Sequence, residues 1–344
     1  MADQTSSLYL SSLVTNKAGE LQSWRHVLSQ EQASHPSDIG DGRDFPLHAL
    51  HREYKIDQAD LGHQADPSLL QCQLPVSPDQ TMSDLATTAV GQLLFNSEYQ
   101  AKKSHFLFFC HETTEANLTL TPTLKVKKLC QLKGTTPFSI SHTGSCGPIQ
   151  SLNLIPMLKA TLPADEPMQA IMVVADQLCP PHPRSFYHLY PKGDASAACL
   201  LHESEGDWQV VDHWLESWPL PLDNPYLWDE MVFSIFETEF YRRYPLRLAE
   251  FIDRNQIQME QISFVIPQQI SERFVSVTEN LFSRKAPVYR RSYAPQSNLL
   301  GSDCFFSLHE ASQEGRFCPG DLVLLIQAGP LASLGFLLLQ RTNQ

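Results

Sequence analysis

The chain has 344 residues, 42% of them hydrophobic, and carries a formal net charge of −13. That length holds one large domain or two of ordinary size and buries a substantial core without staples. The acidic balance excludes a general nucleic-acid binder, whose affinity rests on a basic surface, so an acidic partner needs a local basic patch. Eight cysteines, at 72, 110, 130, 146, 179, 199, 304 and 318, are scattered with no C-x-x-C pair, which argues against disulfides and a zinc site. The start, MADQTSSLYLSSLV, has no basic region ahead of an apolar core, and no later stretch reaches the roughly 18 apolar residues of a membrane span. A soluble cytoplasmic protein, with no membrane and no nucleic-acid partner, is expected.

In chain order, Leu8, Leu10, Leu13 and Val14 suggest a first strand, and the polar, His- and Asp-rich passage to about Asp66 reads as loops with short elements. Ser83 is placed as the N-cap of a one-faced helical pattern, Leu85, Ala86, Ala89, Val90, Leu93 and Leu94. Residues 106–109 form a short, wholly apolar strand of the kind buried on both faces in an α/β sheet, with His111 and Glu112 just past its end. Residues 119–134 contain a helix with Lys125, Lys127 and Lys128.

The chain is organised around residues 138–158, FSISHTGSCGPIQSLNLIPML, with Cys146 at the centre. Small polar residues precede it, as in a strand edge and a tight turn, and Ile149, Leu152, Ile155 and Leu158 then recur at three-residue steps. The order is turn, cysteine, helix. Gly144 and Gly147 permit a sharp bend, and Pro148 has the fixed φ that suits a helix's first turn, where its missing N–H costs nothing. A thiol at a helix N-terminus faces unpaired backbone N–H groups and the positive end of the helix dipole, so a lowered pKa and a nucleophilic sulfur are expected. The competing reading is a buried, inert cysteine, a common fate of free cysteines.

Residues 170–175 form a second buried strand, and strand and helix alternate as α/β folds require. The proline- and histidine-dense stretch 179–188 is a loop, and KGDASAACLL (192–201) opens with a turn and runs into an apolar strand. After a strand at 209–213, a boundary near residue 210 divides an N-terminal half, 1–210, from a C-terminal half, 211–344. Residues 227–244 read as an aromatic-rich helix that Pro245 interrupts before a further helix to Asp253. A β-branched strand at 262–266 stops at Pro267, and Ile270, Phe274, Val277 and Leu281 continue as a helix. Asn298 precedes a helix around 305–311 ended by Gly315, and 322–326 and 334–339 supply the last strands. No His/Cys/Asp/Glu group has ligand spacing, and neither G-x-G-x-x-G nor a Walker sequence occurs, so neither a metal nor a nucleotide cofactor is expected.

The order of these pieces over residues 83–341 resembles the ketoacyl-ACP synthase III group of the thiolase superfamily. The likeness is carried by TGSCGPIQSL followed by AIMVVAD, by KGDASAACLL, by FVIPQQISERF, by SNLLGSDCFFSLHEA and by EGRFCPGDLVLLIQAGPLASLGFLLL. It implies an α/β, five-layered α-β-α-β-α thiolase-like fold from two similar halves, usually a dimer, with the active site where the halves meet. It further implies an acyl group accepted by Cys146 from a CoA or carrier-protein thioester, which is a substrate rather than a resident cofactor. Asn298 matches an asparagine that acts on the second thioester in condensing members, although turn preference alone also explains an asparagine there. Arg273 matches an arginine that helps receive the acyl carrier protein, and Arg284, Lys285, Arg290 and Arg291 downstream extend it to a basic patch.

Two departures stand out. Where the family has proline, histidine, glutamine, this chain has Pro267, Gln268 and Gln269, and a glutamine amide donates a hydrogen bond but takes up no proton. Gly329-Pro330-Leu331 replaces a glycine-rich turn whose backbone N–H serves the oxyanion hole, and Pro330 has no N–H to give. Neither His111 nor His142 is assigned the lost imidazole's role. The expected function is an acyltransferase or condensing enzyme in a specialised polyketide or fatty-acid-derived pathway, with Cys146, Gln268 and Asn298 at the site. The rival is a non-catalytic partner subunit that completes a heterodimer with an active homologue.

Overall fold

The computed structural model describes residues 7–17, 19–33, 66–101, 103–115, 121–178, 184–185, 187–219, 230–283, 285–329 and 332–343. Its strands are β1 (Leu8–Lys17), β2 (Glu20–Ser23), β3 (Gln73–Val76), β4 (Phe106–Cys110), β5 (Thr136–Ile140), β6 (Gln169–Asp176), β7 (Ala195–His202), β8 (Trp208–Ser217), β9 (Ile262–Pro267), β10 (Leu322–Gly329) and β11 (Ser333–Arg341). The α-helices among the described residues are α1 (Trp24–Ala33), α2 (Met82–Ala101), α3 (Pro122–Leu129), α4 (Gly147–Lys159), α5 (Glu230–Arg254), α6 (Glu272–Phe282) and α7 (Asp303–Gln313).

Nine strands form one mixed sheet in the order β5-β4-β6-β7-β1-β8-β11-β10-β9. β4 runs parallel to both β5 and β6, and β10 runs parallel to β9, while the other pairings are antiparallel. The two groups of strands meet in a short pairing of Leu8, Tyr9 and Leu10 with Val210, Gln209 and Trp208. A division at 210 and 211 falls inside β8, the strand that opens the second group.

Side chains alternate along each strand between two packing layers, as a period of two requires. Phe106, Phe108 and Cys110 of β4 join Val323 and Leu325 of β10, with Ile149 and Leu152 of α4 and Phe305 and Leu308 of α7, in one core. Leu107 and Phe109 point the other way, to Leu85, Ala89, Val90 and Leu93 of α2. Leu324 and Ile326 face Phe240, Tyr244 and Phe251 of α5 and Phe274 of α6. The result is five layers, with α4 and α7 sandwiched between the two groups of strands.

Pro245 does not end a helix: α5 runs through it without a break. An interior proline costs ~3 kcal/mol or more. Burial of Phe240, Tyr244, Leu248 and Phe251 on either side, at ~1.5–3 kcal/mol for each such side chain, outweighs that cost. Glu216 of β8 adds a tether by accepting from both Arg243 and Arg247. α2 likewise begins ahead of the expected Ser83 cap, because Thr81 and Asp84 bond reciprocally: Thr81 Oγ1 accepts the Asp84 N–H and Asp84 Oδ2 accepts the Thr81 N–H. Ser83 N–H donates instead to Glu115 Oε2.

Candidate active site

β5 leads into a turn where His142 and Gly144 take left-handed φ values of 68° and 54°. A 3₁₀ turn, Gly144–Cys146, passes directly into α4, with Cys146 at the N-cap and Pro148 in the first turn. Turn, cysteine and helix follow in the expected order. Gly147 lets the helix approach β4, since a Cβ there would lie 3.3 Å from Cys110 Cβ. The Cys146 side chain is buried. Gly335 of β11 faces it, and a Cβ at that position would stand 3.4 Å from Sγ and 2.6 Å from Ile149 Cδ1.

The thiol is not acidic. Burial pushes it from 9.0 up to about 12, the charge of Glu112 adds to the rise, and hydrogen bonding from the Ser333 hydroxyl and the Gly329 backbone only partly offsets it. That rise corresponds to ~4 kcal/mol, more than the ~0.3–2 kcal/mol a helix terminus supplies. The backbone donors of its own turn point elsewhere, because Cys146 N–H donates to Thr143 O at 3.2 Å and Gly147 N–H donates to Gly144 O.

Gln268 follows the end of β9 and is fully buried. Its Nε2 donates to Ser145 Oγ and to Asn298 Oδ1, both at 2.9 Å, and its Oε1 accepts the Ala328 N–H at 2.9 Å. Both amide hydrogens are therefore engaged within the protein. Asn298 lies before α7, with its N–H on Pro191 O at 3.0 Å and its carbonyl on Gly193 N at 2.9 Å. Its Oδ1 also accepts the Leu300 N–H, and its Nδ2 has no acceptor among the described residues. Two amides were expected to donate to a thioester carbonyl; the geometry leaves the hydrogens of Asn298 alone.

Three side chains that the sequence reading gave no role complete the cluster. Ser145 Oγ donates to Glu112 Oε2 at 2.8 Å, and Lys192 Nζ donates to Glu112 Oε1 at 3.1 Å. Glu112 and Lys192 are 12% and 16% exposed. Asp176 Oδ1, behind them, accepts the Glu112 N–H at 2.7 Å. Burial and then the Glu112 charge push the Asp176 carboxyl up to about 7, against hydrogen bonds from Thr113 and Glu112. Glu112, Asp176 and Gln268 all sit at the carboxyl ends of parallel strands, where ligands bind in α/β sheets. That position was readable for Glu112; the Ser145 and Lys192 contacts were not. His111 is engaged elsewhere, its Nδ1 2.7 Å from Thr113 O and its Nε2 2.8 Å from Ser139 Oγ, and His142 is exposed.

The expected basic patch is largely neutralised. Arg273 is half-exposed, with Nη1 2.6 Å from Glu237 Oε2 and its guanidinium 4.2 Å from the centre of the Tyr241 ring. Arg290 pairs with Glu272 and Glu279, and Lys285 lies 3.6 Å from Glu260. Arg291 is buried against Asp303, so it takes no part in a surface patch. Arg284 and Pro330 lie outside the described residues. No described helix is long and apolar enough to cross a membrane.

No protein-family model and no curated protein sequence matches the chain. Solved structures do. The chain superposes on ChlB3, an acyltransferase, at 16% identity over 98% of both chains with a TM-score of 0.71. It superposes on the 3-oxoacyl-[acyl-carrier-protein] synthase III of Aquifex aeolicus at 16% identity, over 97% of this chain and 99% of the other, with a TM-score of 0.68. AbyA1, a tetronic acid condensing enzyme, matches at 14% identity over 97% and 99%, with a TM-score of 0.67. With its five layers and mixed sheet, the chain has the thiolase-like fold that these structures share.

Proposed function

We propose that the protein is an acyltransferase or condensing enzyme of the 3-oxoacyl-ACP synthase III type. It takes an acyl group from a CoA or carrier-protein thioester onto Cys146 and passes it to an acceptor, in a specialised polyketide or fatty-acid-derived pathway. The observation that carries this reading is the bridge made by Gln268 Nε2. That one nitrogen, 123 residues along the chain from Ser145, the neighbour of Cys146, joins Ser145 to Asn298. A cysteine at a helix start and an amide with unengaged hydrogens are thereby held in one buried place. As Sγ attacks a thioester carbonyl, Asn298 Nδ2 is the donor free to meet the developing oxyanion. The fold shared with structures named as an acyltransferase and as condensing enzymes supports the same reading.

The proposal extends to a cytoplasmic dimer, either of two copies or with a homologue, and to carrier docking at Arg273. A second reading, a non-catalytic partner subunit, is favoured by one observation: Gln268 stands in the histidine's place and has no hydrogen left for substrate. Intact-mass spectrometry after incubation with a panel of acyl-CoA and acyl-carrier thioesters separates the two. An acyl adduct on the Cys146 peptide, absent from Cys146→Ala, is the expected result. No adduct from any thioester leaves the partner-subunit reading.

A further inference from the structure

The acyl-transfer reading lacks a base, because Gln268 takes up no proton and neither His111 nor His142 bonds into the cluster around Ser145. Both half-reactions release one. The Cys146 thiol is held protonated and must lose its proton as it attacks the donor thioester, and an attacking hydroxyl, amine or water must lose one when it takes the acyl group away.

The hydrogen bonds around Ser145 have a single direction. Gln268 Nε2 carries only hydrogens, so Ser145 Oγ accepts there, and the one hydroxyl hydrogen goes to Glu112 Oε2 at 2.8 Å. Glu112 is fixed at both ends, by Lys192 Nζ on Oε1 and by its own N–H on Asp176 Oδ1. Ser145 is 1% exposed and precedes Cys146 in the same turn. A hydroxyl oriented in this way has a second lone pair free on the side away from Glu112.

We propose that Ser145 and Glu112 form the proton relay of this site, in place of an imidazole. In deacylation the acceptor oxygen or nitrogen bonds to the acyl carbon as the C–Sγ bond breaks. The acceptor's proton passes to Ser145 Oγ, which hands its own to Glu112 Oε2. The proton then returns along the same path to the Cys146 thiolate, so the enzyme ends as it began. In acylation the Sγ proton takes that path and leaves with the departing CoA or carrier thiol. Ser145 is the group that meets the reacting atoms, Glu112 acts through it, and Lys192 keeps the carboxylate in place.

The relay rests on the acyl-Cys146 reading, and one experiment tells their failures apart. The full-length protein and its Ser145→Ala and Glu112→Gln variants are loaded with acetyl-CoA. Intact mass then follows formation and single-turnover decay of the adduct from pH 5 to 9, with water and with ethanol as acceptors. The expected result is decay slowed roughly 10²- to 10⁴-fold in both variants, with a pH dependence in Glu112→Gln that departs from the native one. Ser145→Thr, which keeps a hydroxyl, retains the native pH dependence and controls for damage to the turn. An adduct that both folded variants turn over at the native rate, with the native pH profile, overturns the relay and leaves the reading intact. No adduct on the native protein, from acetyl-CoA or from any other acyl-CoA or acyl-carrier thioester of the panel, overturns both.

Discussion

Arg291 and Asp303 form an ion pair, Nη1 to Oδ2 at 2.6 Å, with no solvent exposure on either side chain. Its other bonds surround the candidate site. Arg291 donates to the carbonyls of Tyr293, Ala294 and Ser297, and Asp303 accepts the N–H groups of Leu299 and Gln269. Both neighbours of Asn298, and the residue after Gln268, are thus tied to one pair of charges.

Breaking that pair from one side leaves a buried, uncompensated charge. Asp303→Asn is expected to lower stability by ~3–5 kcal/mol, the usual cost of a half-removed buried pair. Urea denaturation should show a lower midpoint with little change in slope. The double variant Arg291→Met with Asp303→Leu should lose less than Asp303→Asn alone, because no charge is stranded. A double variant as unstable as the single one would show that the backbone contacts, not the charges, carry the stability.

The raised thiol gives a pH dependence with a definite sign. The folded chain holds the Cys146 proton more tightly than the unfolded chain, in which the thiol titrates near its ordinary 9.0. The stability this contributes is complete below pH 9 and is lost as pH rises from 9.0 toward about 12. Burial raises Cys110, Cys199 and Cys304 as well, so the losses act together. Iodoacetamide should label exposed Cys318 first, and labelling of Cys146 should climb about tenfold per pH unit through the alkaline range. A Cys146 rate that levels off near neutrality would mean that the helix end does overcome burial.

The alternation of strand and helix and the apolar runs of β4 and β6 were readable because the residues that form those strands also fill the core on both of their faces. The Cys146 turn was equally plain, since Gly144 and Pro148 have a conformational reason to be there and Gly147 a packing one. What the sequence hid were properties set at long range. The thiol pKa depends on how much protein covers Sγ, which helix position alone does not reveal. The unbroken α5 depends on what Tyr244 and Leu248 pack against. The pairing of Arg273 with Glu237 joins residues 36 apart, and Ser145 meets Glu112 across 33, distances over which sequence spacing carries no contact information.

Arg273 is expected to matter in carrier-dependent acylation, but modestly. An acidic carrier must compete with Glu237 and Tyr241 for its guanidinium, and exposed ion pairs contribute ~0–1 kcal/mol. Arg273→Glu should slow acylation from a carrier-protein thioester by about two- to fivefold at low salt. The difference should fade at higher ionic strength, while acylation from the matching CoA thioester stays as it was. Equal slowing with both donors would place the effect inside the site, and no slowing with either would remove the docking role.

The two half-reactions should separate. Acylation asks for a thiol, somewhere to send its proton and one donor for the oxyanion, and in the proposed reaction Asn298 Nδ2 is the donor left for it. Decarboxylative condensation asks for more, because an enolate develops on the second thioester and its oxygen also needs stabilising. In this chain the second amide has no hydrogen to offer: Gln268 Nε2 is committed to Ser145 Oγ and Asn298 Oδ1. Absence of one oxyanion donor costs roughly 10²- to 10³-fold in rate, or ~2.7–4 kcal/mol. Transfer of the acyl group from Cys146 to a hydroxyl, an amine or a preformed carbanion should therefore outrun condensation with a malonyl thioester. The comparison is release of labelled carbon dioxide from malonyl thioester against disappearance of the acyl-Cys146 adduct with other acceptors. Decarboxylation that keeps pace with acyl transfer, and is abolished in Gln268→Ala, would show that the amide turns from Ser145 or Asn298 to substrate when the site is filled.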